Sequence, residues 1–381
     1  MGFSALKRSF TPLLCTGDAY TRGFTQGSAL EKQIGLCLNA FYQSALFAQL
    51  RRRSLPGFLN DRLIRMRAKQ HIWKDLQQLP DHLQFMQGMA KGSKQELQHL
   101  LLFCAVEGLL TSRPYQMGAC SMVLVPPRFS NTGEALMIKN FDYPYFLKAF
   151  NLLRENQPED KGLNTLEMTL CAQSGCHTGM NTEGLAISYN TARGPSQSHS
   201  HLPISLQVQE ALRHCKSAEE AVDWFNRGQQ EGGGILGIMD RQNIFLVEIY
   251  GSTVKAEEIS DKPLLATNHY QLMPEHNPPV NAYFASKGIP ELAGERINAS
   301  SEARLDRLNE LAGTRIHFHP QDLLDYFQDH GSPKAPGDHT LCRHGRFYET
   351  TGSILLMPQR REAQINLDAP CESNYVSYQW F

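Results

Sequence analysis

Gly118-Ala119-Cys120-Ser121-Met122-Val123 decides the fold, because the texture of the chain changes across it. Upstream, Leu30, Ile34, Leu38, Phe41 and Ala45 recur at spacings of three and four, and similar stripes follow at Leu83–Met89 and Leu97–Leu109. That period predicts helices from Gly27 to about Thr111. Downstream of Pro114 come short apolar runs bounded by Gly, Asn and Pro: Cys120–Val125, Ala135–Ile138, Leu166–Ala172 and Leu185–Tyr189. These read as strands. Two small residues ahead of a strand-opening cysteine leave the Ala119 carbonyl accessible to the Cys120 thiol. Read locally, the same residues also describe a flexible turn before a buried cysteine, and both readings stay open at this point.

Working outward, Leu206–Arg227 is a second amphipathic block, and GGILGIMD and NIFLVEIYG, joined by Arg241-Gln242, form a hairpin pattern. Helices are expected again at Ser301–Leu311 and Pro320–His330, and Ser353–Met357 with Glu362–Leu367 closes the chain as another hairpin. Pro195–Leu202 and Met273–Pro279 read as loops. Strands arriving in sets between helix pairs predict an α+β fold, with helical layers over stacked, largely antiparallel sheets.

Composition narrows the function. The 381 residues are 41% hydrophobic and 20% charged, with 37 Lys+Arg against 38 Asp+Glu and a formal charge of −1. Such a balance gives no electrostatic reason for a nucleic-acid or anionic-membrane partner, and a small, roughly neutral substrate fits better. No apolar run is long enough to span a bilayer. The N-terminus lacks a signal-peptide core, and Leu6 stands where a myristoylation signal needs Ser or Thr, so a cytoplasmic protein is expected.

The nine cysteines, Cys15, Cys37, Cys104, Cys120, Cys171, Cys176, Cys215, Cys342 and Cys371, contain no CxxC pair. They fit neither a disulfide framework nor a zinc ribbon and read as reduced, mostly buried thiols. His199 with His201, and His317 with His319, have an i, i+2 spacing but no Cys or carboxylate partner at a familiar ligand distance, so no metal is expected. GGGILG at 232–237 leads into a strand rather than a helix, and no phosphate loop occurs, so no cofactor is expected either.

Several segments in order carry a resemblance: GDAYTRGFTQG at Gly17–Gly27, the Cys120 switch, Lys139-Asn140-Phe141-Asp142-Tyr143, GMNTEGLAISYN at Gly179–Asn190, ATNHY at Ala266–Tyr270, SSEARLDRL at Ser300–Leu308 and the tail LCRHGRFYETTGSILL. Together, from about Gly17 to Tyr378, they resemble the acyl-coenzyme A:6-aminopenicillanic acid acyltransferase family, related to the choloylglycine hydrolases within the N-terminal-nucleophile superfamily. The resemblance implies a four-layer αββα sandwich made as a precursor that cuts itself between Ala119 and Cys120. Residues 1–119 would then be a helical N-terminal chain and 120–381 the catalytic chain, the two staying associated. The activity implied is amide cleavage or acyl transfer on a small-molecule amide or acyl donor, through a thioester on Cys120.

A free α-amine has a pKa of about 8, so an N-terminal cysteine carries its own base, whereas an internal one does not. By the same resemblance Asp142 would hold that amine, and Asn268 and Asn181 would lie around the oxyanion and the substrate amide. Arg304, in the first turn of a helix capped by Ser300 or Ser301, would stand near the catalytic centre. Lys139 and Tyr143 would face the substrate. Competing readings remain at three of these positions: Asp142 as a turn residue before Pro144, Asn181 as a hairpin-turn residue, and Arg304 in a structural salt bridge, since a cation at a helix N-terminus needs a compensating anion. For the whole chain the alternative is an uncleaved, non-catalytic family member that binds a small molecule.

Overall fold

The computed structural model describes residues 11–52, 54–195, 200–228, 230–331 and 335–380. Leu6 and His199, with the lipidation and metal readings attached to them, lie outside those residues. In chain order the strands are β1 (Leu13–Gly17), β2 (Ala119–Val125), β3 (Leu136–Pro144), β4 (Asn151–Pro158), β5 (Thr165–Leu170), β6 (Thr178–Asn181), β7 (Ala186–Ala192), β8 (Gly233–Met239), β9 (Ile244–Tyr250), β10 (Thr253–Glu258), β11 (Leu264–Ala266), β12 (Tyr348–Met357), β13 (Glu362–Asn366) and β14 (Val376–Gln379). The helices are α1 (Ala19–Ala29), α2 (Glu31–Gln43), α3 (Ala45–Ala48), α4 (Gly57–Leu76), α5 (Pro80–Ser93), α6 (Leu97–Leu110), α7 (Ile204–His214), α8 (Ala218–Asn226), α9 (Ala299–Gly313) and α10 (Pro320–Phe327).

Strands β1-β4-β5-β6-β7-β8-β9-β10 form one sheet and β11-β2-β3-β12-β13-β14 the other. All pairings are antiparallel except β1 with β4. Period-two alternation sorts each strand between two cores. On β2, Met122 and Leu124 face the other sheet, while Val123 and Val125 pack with α9 and α10. On β8, Ile235 and Met239 face inward and Leu236 and Ile238 meet α7 and α8. The layers are therefore α7/α8, sheet, sheet and α9/α10, the expected αββα arrangement. Gly237 lets the sheets close: a Cβ there would sit 2.6 Å from Leu124 Cδ1.

The first third is helical as expected, with one exception. β1 joins the larger sheet in register with β4, Leu13 opposite Arg154, so this segment is woven into the sandwich rather than set beside it. Asp18 caps α1 by accepting from Thr21 N–H at 2.7 Å. Gly23 and Gly27 face α5 at backbone contact, where a Cβ on Gly23 would overlap the Phe85 carbonyl oxygen. That close approach explains the glycine spacing in GDAYTRGFTQG. Gln26 on the same helix donates to the Cys171 carbonyl at 2.9 Å and accepts from Arg154 Nη1 at 2.9 Å. Among the described residues no helix is long and apolar enough to cross a membrane.

Candidate active site at the Ala119–Cys120 bond

Strand parity decides where each side chain goes. Cys120 shares the face of Met122 and Leu124, so its thiol lies between the sheets and is 2% exposed. Lys139, Phe141 and Tyr143 on β3 share that space. The Lys139 ammonium donates to the carbonyls of His177 (3.3 Å) and Tyr189 and stands 4.5 Å from the Phe141 ring centroid. Burial pushes the Cys120 thiol above its ordinary range, and the Lys139 and Arg304 cations pull against that rise. Burial likewise lowers Lys139, opposed by its thiol neighbours Cys120 and Cys176.

Ser121 and Asp142 lie on the opposite face, toward α9. Arg304 Nη1 donates to the Cys120 carbonyl and to Ser121 Oγ, both at 2.7 Å, and Nη2 donates to Asn268 Oδ1 at 2.9 Å. Its anion is Asp142, whose Oδ2 is 3.6 Å from Nη1. One guanidinium is thus ion-paired with Asp142 and grips the Cys120 backbone. Burial lowers Arg304 to about 10, with Asp142 opposing. Asp142 is no turn residue. It sits inside β3, accepts from Thr350 Oγ1 at 2.7 Å through Oδ1, and keeps Oδ2 buried without a hydrogen-bond partner. Burial raises its carboxyl, opposed by Arg304 and Arg343.

Asn268 follows β11 and reaches the bond directly, because its Oδ1 accepts from Cys120 N–H at 2.9 Å. Both neighbours of that oxygen, Cys120 N–H and Arg304, are donors, so the amide oxygen must face them. Its Nδ2 donates to the Thr191 carbonyl at 2.7 Å. Asn268 is thus an acceptor at the uncleaved bond and a donor to the strand beside it. Ser301 Oγ accepts from Asn268 N–H at 2.8 Å. The cap position of α9 is Asn298, not Ser300 or Ser301, whose hydroxyls serve the site and the Asp338 carbonyl instead.

Three further candidates lie outside the lining of the cleft. Asn181 sits away from the Ala119–Cys120 bond: its Nδ2 donates to the Leu212 and Cys215 carbonyls at 2.8 Å and its Oδ1 accepts from Glu183 and Leu185 N–H, turn chemistry that also ties down α7. The length of β7, about 20 Å at 3.3 Å per residue, separates it from Thr191 beside the centre. The asparagine at the near end is Asn190, the last residue of the quoted GMNTEGLAISYN. Its Nδ2 donates to the carbonyls of Ala266 and Thr267, while its Oδ1 is buried without a partner. Inward parity on β7 was the signal that could have singled it out. Lys139 and Tyr143 do not line the cleft. They are buried, and the Tyr143 ring backs Gly118, where a Cβ would come within 3.1 Å of Cε1.

A cleft of about 620 Å³, counted to its open mouth, reaches the bond through Gly118, Ala119, Asn268 and Arg304. A second, much smaller hollow lies on the Tyr189 and Glu231 side, and Gln116 borders both. Of the histidines, His319 belongs to the capping box of α10, and His201 stacks on His71 at 4.1 Å beside Glu231.

The family model for acyl-coenzyme A:6-aminopenicillanic acid acyl-transferase matches residues 130–346, more than half of the chain. That span takes in Asp142, Asn190, Asn268 and Arg304 and begins beyond Cys120. Among solved structures the chain is similar to a Caenorhabditis elegans ortholog of N-acylethanolamine-hydrolyzing acid amidase, at TM-score 0.44 and 14% identity, covering 63% of this chain and 93% of that one. It is also similar to a mutant of conjugated bile acid hydrolase from Clostridium perfringens (TM-score 0.39, 12% identity, 69% and 97% covered). A third likeness is penicillin V acylase from Agrobacterium tumefaciens (TM-score 0.38, 11% identity, 65% and 83% covered). No curated protein matches the chain by sequence.

Proposed function

The chain belongs to the acyl-coenzyme A:6-aminopenicillanic acid acyl-transferase family, and from that premise we propose an N-terminal-nucleophile amidohydrolase that cuts itself between Ala119 and Cys120 and acts on linear amides through a Cys120 thioester. The reading rests on how that bond is held. Its N–H is bonded to Asn268, the next carbonyl to Arg304, its Ala119 side opens to the cleft, and the thiol stands between the sheets near a buried ammonium.

In self-cutting, Cys120 Sγ bonds to the Ala119 carbonyl carbon, the C–N bond breaks, and the thiol proton passes to the departing nitrogen, which becomes the α-amine. Water then hydrolyses the thioester, leaving an Ala119 carboxylate and a free Cys120 thiol. In turnover the α-amine accepts the thiol proton, the thiolate attacks the substrate carbonyl, and the amine product leaves with a proton. Water releases the acyl group; an amine in its place makes the same centre an acyltransferase. Asn268 Oδ1 already accepts from the Cys120 nitrogen, and Asp142 Oδ2, ion-paired with Arg304 but accepting no hydrogen bond, is available as a second acceptor for the ammonium.

Arg193 lines the cleft with its Nη2 buried and unpartnered, which favours an amide carrying a carboxylate. The Gln26 bonds to Arg154 and Cys171, and the 2.7 Å bond from Arg213 to Asp81, would keep the two chains together after cutting. Intact mass and N-terminal sequencing test the proposal: two fragments are expected, the second beginning at Cys120. A single persistent chain of 43.0 kDa would sink it in favour of an uncleaved binding module.

A further inference from the structure

Two loops meet at the end of the smaller sheet: the connection between α10 and β12, carrying His330, Cys342 and His344, and the one between β13 and β14, carrying Cys371. Cys342 Sγ and Cys371 Sγ are 3.4 Å apart, and His344 Nε2 is 3.5 Å from the first and 3.2 Å from the second. With His330, one donor atom from each of the four residues lies within 4.8 Å of all the others. His330 Nε2 is buried without a hydrogen-bond partner, and its ring centroid is 5.1 Å from that of His344.

These separations fit one ion. A tetrahedral zinc with bonds of about 2.3 Å to sulfur and about 2.0 Å to nitrogen has donor-to-donor edges of roughly 3.3–3.8 Å. The sulfur separation is far above the 2.05 Å or so of a disulfide. Two thiolates with two imidazoles make a ligand set that zinc favours, and the Glu372 carboxylate lies 3.9 Å from His344 Nδ1. The other convergence of ligand-type residues, His71, His201 and Glu231, has its two rings face to face, which suits stacking rather than two nitrogens on one ion.

We propose that His330, Cys342, His344 and Cys371 form a structural zinc site that pins the loop before β12 to the β13–β14 connection. Binding displaces the two thiol protons, and four protein ligands leave no open position, so the ion braces rather than catalyses. What it braces is the wall of the cleft. Arg343, between two of the ligands, donates its N–H to Thr350 Oγ1 at 2.7 Å, the same hydroxyl that donates to Asp142. Its guanidinium Nε is 2.8 Å from Asp338 Oδ1, and both side chains line the cleft.

The test is metal analysis of the full chain purified without a histidine tag. About one zinc per chain is expected in the wild type, falling to background in Cys371→Ser, an exposed position where the exchange spares the core. Cobalt exchanged into the wild type should show the visible bands of a tetrahedral ion with thiolate charge transfer, absent from Cys371→Ser. A chelator should lower the melting temperature of the wild type and leave that of the variant unmoved. A wild-type chain that takes up no zinc from zinc chloride, zinc content indifferent to Cys371→Ser, or a Cys342–Cys371 disulfide in place of metal would each overturn the proposal.

Discussion

The two cysteine centres of this molecule are built from opposite materials. Cys120 stands on a central strand between two sheets, beside Lys139, with Arg304 gripping its backbone from the other face. Cys342 and Cys371 lie on loops, facing imidazoles and each other. Strands already fix Cys120, so its neighbours can be spent on charge: burial pushes the thiol up and the cations work against it. Loops fix nothing by themselves, and there the side chains converge on a shared point, as a crosslinking ion requires. A nucleophile needs a neighbour that favours the thiolate without capturing it, whereas a structural ligand needs capture.

The largest expected effect breaks the comparison cleanly. Cys120→Ala should give an uncut chain of 43.0 kDa with no turnover and an unchanged melting temperature. Cys342→Ser should do the reverse, lowering the melting temperature while the chain still cuts. A Cys120→Ala chain that is cut normally, seen on a denaturing gel, would detach Cys120 from the processing chemistry.

Asn268→Ala comes next. It removes the acceptor shared by Cys120 N–H and Arg304, and hydrogen bonds to charged groups contribute about 1.5–3 kcal/mol, so self-cutting should slow roughly 10- to 100-fold. A time course after expression reads this; wild-type rates would reduce Asn268 to a tie for the Thr191 strand.

Acid should weaken the fold through two routes that a variant separates. Zinc release on ligand protonation is one. The other is His82 on α5, which faces Glu210 at 3.4 Å, with Arg213, Arg154 and Glu167 near; burial lowers its pKa from 6.5 to about 4. Between those values the unfolded chain binds a proton that the folded chain does not, so stability falls as pH drops from 6.5 toward 4, by up to about 3 kcal/mol. His82→Gln should flatten that part of a melting-temperature profile in zinc-free protein. An unchanged slope would assign the acid sensitivity elsewhere.

The smallest effect is an order of labelling. With zinc bound and the chain cut, limiting iodoacetamide should modify Cys120 before Cys371, and chelation should bring Cys371, the exposed cysteine, into competition. Cys176 should lag in both conditions, because it is fully buried and its thiol is pushed well above the ordinary range. Peptide mapping in which Cys176 leads would move the reactive centre.

Periodicity alone determined the helical first third, the strand beginning at Cys120, the α7/α8 block, both hairpins and the helices that became α9 and α10, because repeats of 3.6 and 2 are local properties of a chain that buries one face. The ordered segments pointed to the family that the comparison shows and, through it, to Cys120, Asp142, Asn268 and Arg304 as candidates, which the fold does bring together. Strands β1, β4, β6, β10 and β14 escaped: β1, β10 and β14 are sheet edges, stabilised by a partner's ladder without an alternating pattern of their own, while the interior β4 and β6 bury polar residues such as Arg154, Asn156 and Thr178 that mask the alternation. Tertiary structure put Asn181 at the turn end of its hairpin and Asn190 at the other end, beside Ala266 and Thr267, a placement that strand parity hints at without fixing. It also oriented the Asn268 amide, by surrounding its oxygen with donors and offering its nitrogen the Thr191 carbonyl. The four proposed zinc ligands come from two loops at spacings that match no motif, so only the packing of the sheet ends brings them together. Chemistry held on one element can be read along the chain; chemistry assembled from several depends on where the folded backbone returns.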